Sequence, residues 1–270
     1  MVNQNDYFLI GQSFQSFGKV PVIKRARGWR LYTQDGKRLV DLWQAGGASV
    51  LGHKPVRVTA ELKSAAERGL YAPLPTFYEE RLYKALKKLF PDKVFRIYKD
   101  DFSLNHALIQ AGFDIQSFKI TIWRPFSGEN PVHSEQKNLF IPVLPFPSAP
   151  RTLVLDKILQ KKFPPSDLVS PVLVACTAQA VNNLAAHPER GAVLYEEIET
   201  AIKGGLKWRR AGIYIYSMNS EEDCDRRFEL FLRHGFLTSP LKNDPLILPG
   251  ELSLGEERRL ASLLASDDVN

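Results

Sequence analysis

The sequence predicts an α/β fold, and three observations carry that expectation. Four short apolar runs in the middle of the chain, Val94 to Tyr98, Phe118 to Trp123, Leu139 to Leu144 and Thr152 to Leu155, read as strands. A helical stretch separates the first two, and strand-helix-strand order implies a small, partly parallel sheet. Amphipathic helices with clear start signals flank this block on both sides. The chain has 270 residues, 44% hydrophobic and 24% charged, which is ordinary globular composition for one large domain or one domain with a small lobe.

Composition also excludes several classes. Extended disorder needs lower hydrophobicity and higher net charge. No run approaches the roughly 18 apolar residues of a membrane span. The N-terminal MVNQNDYFLIGQSFQSF lacks the basic start and apolar centre of a secretory signal. Two cysteines, Cys176 and Cys224, are too few for a disulfide framework, so a reducing, cytoplasmic setting is expected. Net charge is +6, from 36 basic and 30 acidic residues. The basic runs at Lys84 to Lys88, Lys161-Lys162 and Lys207 to Arg210 lack the aromatic or motif support of a nucleic-acid reader and read as solvated faces.

In chain order, Trp29 to Thr33 and Lys37 to Asp41 form a hairpin around Gln34-Asp35-Gly36, where Asp-Gly supplies the positive φ of a tight turn. A helix over about Val56 to Leu70 carries Val58, Leu62, Ala65 and Ala66 on one stripe. The next begins at Thr76, whose hydroxyl and Glu79 form a capping box. Its stripe is Tyr78, Leu82, Ala85, Leu86 and Leu89, and Pro91 ends it. A short helix spans roughly Leu104 to Ala111 and stops at Gly112. Proline density from Pro125 to Pro165 predicts loops between short strands.

Ser170-Pro171 opens a helix that is apolar nearly all round at its beginning and is therefore expected to be buried. Further helices are expected over about Glu189 to Lys203, from Ser220 through Leu232, and from the Ser253/Glu256 capping box with Leu260, Leu263 and Leu264 on one face. Between them Gly212 to Tyr216 and Phe236 to Ser239 read as strands.

Two stretches carry a family resemblance. VIKRARGWRLYTQDGKRLVDLWQAGGASVLGHKPVRVTAELKSA, with its Asp-Gly turn, Asp41-Leu42, Gly46-Gly47-Ala48 and Leu51-Gly52-His53, resembles the opening segment of class III aminotransferases and glutamate-1-semialdehyde aminomutases. WRRAGIYIY, FELFLRHGFLTSP and LILPGELSLGEE resemble the family's closing segment. The resemblance covers about half the chain. It implies the type I fold of pyridoxal-phosphate-dependent transferases, reduced here in the middle, with a small α+β lobe built from both termini. The implied division is 1–55 for the small lobe and dimer interface, 56–186 for the reduced large domain and 187–270 for the rest of the small lobe. It also implies a homodimer, and allows a full-length aminotransferase as partner.

The family's chemistry needs a lysine to hold the cofactor as an imine, a carboxylate against the pyridine nitrogen, and a turn into a helix that cradles the phosphate. Family members are considerably longer than this chain, and no acidic motif with a glycine-rich turn and no matching lysine context stands in its middle. Where the family has a Ser-Gly-Ser/Thr-Glu-Ala type turn, this chain has Lys99-Asp100-Asp101-Phe102-Ser103. The glycine is replaced, and two carboxylates repel a dianion by a few kcal/mol at low effective dielectric. Lys99 offsets part of that repulsion. The run Asp244 to Pro249 holds no arginine for a substrate carboxylate.

The remaining groups are weighed singly. Lys119 begins an apolar strand and is the first candidate for a relocated imine lysine; Lys161 and Lys162 read as exposed loop. His53, His106, His133, His187 and His234 have no metal spacing. His53 is structural or at the dimer contact, and His106 is a surface group or faces the altered cradle. Trp43, Gly46, Gly47 and Tyr71 are core residues on a bare reading and interface residues on the family's. Two functions follow. One is an aminotransferase-like protein with a degenerate site, no resident cofactor and a binding or regulatory role. The other is a working pyridoxal-phosphate enzyme with a relocated lysine. Neither nucleic acid nor membrane is an expected partner.

Overall fold

The computed structural model describes residues 18–113, 120–128, 138–187, 194–203, 207–218, 224–239, 241 and 244–266. In chain order the strands are β1 Ile23–Arg27, β2 Arg30–Thr33, β3 Arg38–Asp41, β4 Val94–Tyr98, β5 Thr121–Trp123, β6 Leu139–Pro142, β7 Arg151–Leu155, β8 Trp208–Ala211, β9 Tyr214–Ser217, β10 Phe236–Leu237 and β11 Leu246–Ile247. The helices are α1 Val58–Glu67, α2 Phe77–Leu89, α3 Asp101–Gln110, α4 Pro171–Ala186, α5 Glu196–Ile202, α6 Cys224–Arg233 and α7 Leu254–Ser266. The chain divides into two compact units. One holds residues 1–53, 126–128 and 189–270; the other holds 54–125 and 129–188.

The terminal unit has two small sheets. The first is ordered β1-β2-β3-β10, with β10 parallel to β3. Its hairpin turns at Gly36, whose φ of +85° fits the Asp-Gly reading. The second is ordered β11-β9-β8. Leu42, Ile213, Ile215, Phe231, Phe236, Ile247, Leu260 and Leu264 build the main core. Gly212 is the turn of the β8–β9 hairpin, so the strand expected to start there begins at Tyr214.

The central unit is a mixed four-stranded sheet ordered β4-β7-β6-β5. Strands β5 and β6 are parallel, while β7 runs against both its neighbours. Alternation along the strands sorts side chains to two faces. Phe95, Ile97, Phe140 and Val154 pack with α1, α2 and α4 on one face. Tyr98, Leu139, Ile141, Leu153 and Leu155 pack with α3 on the other. Helix α2 has the capping box read from sequence, with Thr76 N–H donating to Glu79 Oε2 at 2.8 Å. Tyr78, Leu82, Ala85 and Leu86 are buried on its inner face. The burial of α4 follows its composition: Val174, Ala175, Cys176, Ala178, Ala180 and Val181 have almost no exposure.

Three expectations are corrected here. Leu62 is 43% exposed, because α1 meets α4 through Val58 and the small Ala65 alone among its expected stripe. Helix α3 starts three residues before Leu104, because Asp100 caps it. Lys161 and Lys162 lie in a 3-10 turn, Lys157–Lys162, rather than an open loop. Ser220, Lys119 and His133 lie outside the described residues. Among the described residues no helix is long and apolar enough to cross a membrane.

Candidate functional site

The turn from β4 into α3 is the place where a cradle would form. Asp100 has extended backbone, with φ −154° and ψ 179°, and its Oδ1 accepts the Ser103 backbone N–H at 2.8 Å. Its carbonyl accepts the Leu104 N–H at 3.1 Å, which starts the helical ladder. A short acidic side chain fits this role, because its carboxylate satisfies a free amide and faces the positive end of the helix. The Ser103 backbone amide above all, with the Ser103 hydroxyl, the Lys99 charge and the Phe102 amide, holds the Asp100 carboxyl below its ordinary range, against burial, which raises it.

The other members of the turn are engaged too. Arg151 Nη2 donates to Asp101 Oδ2 at 2.7 Å, and Arg151 Nε lies 2.7 Å from Asp101 Oδ1. The Lys99 backbone N–H donates to Asp167 Oδ2 at 3.0 Å. Lys99, Asp100, Asp101 and Ser103 therefore stand together as the sequence suggests. Sequence reasoning missed Arg151 and Asp167, which come from the start of β7 and the segment before α4. Pairing across the sheet brings Arg151 opposite Tyr98, and nothing local in the sequence marks that.

A bound pyridoxal phosphate can be tested against these residues. The Ser103 amide already has an acceptor, the adjacent guanidinium already has a carboxylate, and a non-glycine residue occupies the turn. No lysine is among the buried residues described. Asp156, the acid just after β7, is ion-paired with Lys93, whose Nζ lies 2.6 Å away. The residues described at this turn do not fit the phosphate of the cofactor. His106 is exposed on α3, with its Nε2 3.0 Å from Gln110 Nε2.

The second cluster lies in the terminal unit, in the loop after β3. Asp41 is 1% exposed, and its Oδ1 accepts from the backbone N–H of Trp43 at 2.9 Å and of Gln44 at 2.8 Å. Its Oδ2 is 2.8 Å from His53 Nε2. The chain between them is left-handed at four successive residues: Gln44 at φ 47°, Ala45 at 51°, Gly46 at 67° and Gly47 at 105°. Glycine accepts that conformation freely, whereas Gln44 and Ala45 are strained. Gln44 is held by Nε2 donating to the Ile247 carbonyl at 2.8 Å and by its own carbonyl accepting from Ser49 N–H at 2.9 Å. Gly52 is needed for proximity, since a Cβ there would sit 3.1 Å from the Gly28 carbonyl oxygen.

Trp43, Gly46, Gly47 and His53 thus share one loop. Trp43 packs on the cluster of Leu31, Leu39, Phe228 and Leu237. Tyr71 belongs to the other unit, after α1, and is 65% exposed. Asp41 and His53 stand twelve residues apart, and that separation gives no local signal of contact. Among the described residues no group of three or more His, Cys, Asp or Glu is arranged to hold a metal ion.

No family model matches the chain. An uncharacterised protein of Treponema pallidum is 28% identical over 281 aligned residues, covering 86% of this chain and 89% of that one. A glutamate-1-semialdehyde 2,1-aminomutase of Heliobacterium modesticaldum is 40% identical over 81 residues, which is 30% of this chain and 19% of the enzyme. The acetylornithine aminotransferase of Elizabethkingia anophelis superposes with a TM-score of 0.66 at 12% identity, covering 98% of each chain. The chain has the mixed α/β, type I architecture of the class III aminotransferases.

Proposed function

We propose that this protein is an aminotransferase-like scaffold that holds no pyridoxal phosphate and does not carry out transamination. The observation that carries the reading is the Asp100 carboxylate on the Ser103 amide, at the start of the helix where the family's phosphate turn stands. Asp101 on Arg151 supports it. The fold is retained for binding or regulation. Two copies associate through segments that include the loop of Trp43, Gly46, Gly47 and His53, and Tyr71.

Absorbance spectroscopy tests the catalytic half of this reading. Purified protein incubated with pyridoxal phosphate and then separated from it gives no imine band, and borohydride followed by peptide mapping labels no lysine. A band that borohydride removes, with one labelled lysine, contradicts the reading. The Lys119→Ala variant then shows whether that lysine is Lys119. Light scattering tests the assembly: a dimer has twice the 30.6 kDa chain mass, and a monomer at micromolar concentration contradicts it.

A further inference from the structure

The β4–α3 turn is not merely poorly suited to a phosphate; it is completed from within the chain. We infer that the Asp100 carboxylate is a built-in substitute for the cofactor's phosphate on the α3 N-terminus, and that the Asp101–Arg151 pair beside it closes the seat to external anions. The inference rests on the cofactor-free reading above and names the device that makes it possible.

Three features argue for it. First, Asp100 satisfies what a phosphate would satisfy: the Ser103 amide at 2.8 Å, with the Phe102 amide, the Ser103 hydroxyl and the Lys99 charge also acting on its carboxylate. Second, the guanidinium that this turn offers an anion is taken at two atoms, Arg151 Nη2 to Asp101 Oδ2 and Nε beside Asp101 Oδ1, each at 2.7 Å. That one hydrogen bond with the adjacent charge is what the arginine would otherwise give a phosphate. Third, an acid already attached to the chain loses no translational freedom when it docks, whereas a free ligand does. An entering dianion must therefore displace Asp100 and remain close to both displaced carboxylates.

The full chain is the material for the test, and melting temperature with inorganic phosphate is the readout. The wild type does not shift with millimolar phosphate or pyridoxal phosphate. The Asp100→Gly/Asp101→Ser double variant frees the Ser103 amide and Arg151, and its melting temperature rises by several degrees with phosphate. Asp100→Ser keeps a capping hydroxyl and serves if the double variant does not fold; it gains a smaller rise. A phosphate-dependent rise in the wild type overturns the inference, and so does a folded double variant that ignores phosphate. The broader reading fails separately: a borohydride-trapped imine in a wild type that ignores phosphate contradicts the cofactor-free proposal and supports the closed turn.

Discussion

Two helix starts in this molecule use an acid in opposite ways. At α7, Glu256 is 2% exposed and joins distant parts of the terminal unit. Its Oε2 accepts from Arg30 Nη2 at 2.8 Å and from the Ser253 N–H at 2.8 Å, its Oε1 accepts from Arg30 Nε at 3.1 Å, and Arg38 Nη2 lies 3.2 Å from Oε1. At α3, Asp100 is exposed and its carboxylate accepts from the Ser103 amide, three residues along the chain. The first acid ties the opening hairpin to the last helix, so its loss is felt across the unit. The second only finishes its own turn. The acid at α7 is thus a long-range tie between the two ends of the chain, whereas the cap at α3 is local, and the long-range pairing beside it falls to the neighbouring Asp101 on Arg151.

Glu256 carries the largest expected effect. Replacing it by Ala leaves the half-buried Arg30 with only the exposed Glu251 as a carboxylate partner and costs about 4 kcal/mol in a urea titration. A loss below about 1 kcal/mol would erase the contrast between the two starts. The same acid sets a pH dependence. Burial by itself would raise its pKa, but the Arg30 hydrogen bonds, the Ser253 amide and the Arg30 charge outweigh that and hold it at about 2. A lowered folded pKa gives stability that is complete above the unfolded value near 4.5 and is lost as pH falls towards 2. The loss over that window is about 3 kcal/mol, and Glu256→Gln flattens it.

Asp41→Ala is next. It strips an acceptor from two backbone amides and from His53 inside a strained loop, and costs about 3 kcal/mol by denaturant unfolding. Asp100→Ala removes a single exposed cap, worth about 1 kcal/mol by the same assay, and Asp100→Asn restores most of it. Asp101→Ala breaks a partly exposed pair and shifts stability by less than about 1 kcal/mol. If Asp100→Ala costs as much as Glu256→Ala, the turn at α3 is a long-range anchor too.

Much of the fold was legible because its signals are local. Thr76 and Glu79 cap α2, Ser253 and Glu256 cap α7, and the apolar faces of α2 and α7 repeat at helical spacing. The site was legible in part. Lys99 to Ser103 was recognisable as an altered turn from its two acids and missing glycine. Asp100 as the cap was missed because the apolar residues that mark the helix begin only at Leu104. Arg151, Asp167 and Arg30 act across the sheet or the chain, and no window of sequence contains both members of those pairs. Leu62 misled because a helical stripe reports periodicity, whereas only Val58 and Ala65 of that stripe are buried.

The most direct measurement is a crystal structure of the chain grown with pyridoxal phosphate. The expected result is Asp100 Oδ1 still on the Ser103 amide and Asp101 still on Arg151, with no phosphate at the start of α3. A phosphate accepting from the Ser103 amide, with Asp100 turned away and a lysine joined to the cofactor, would contradict it.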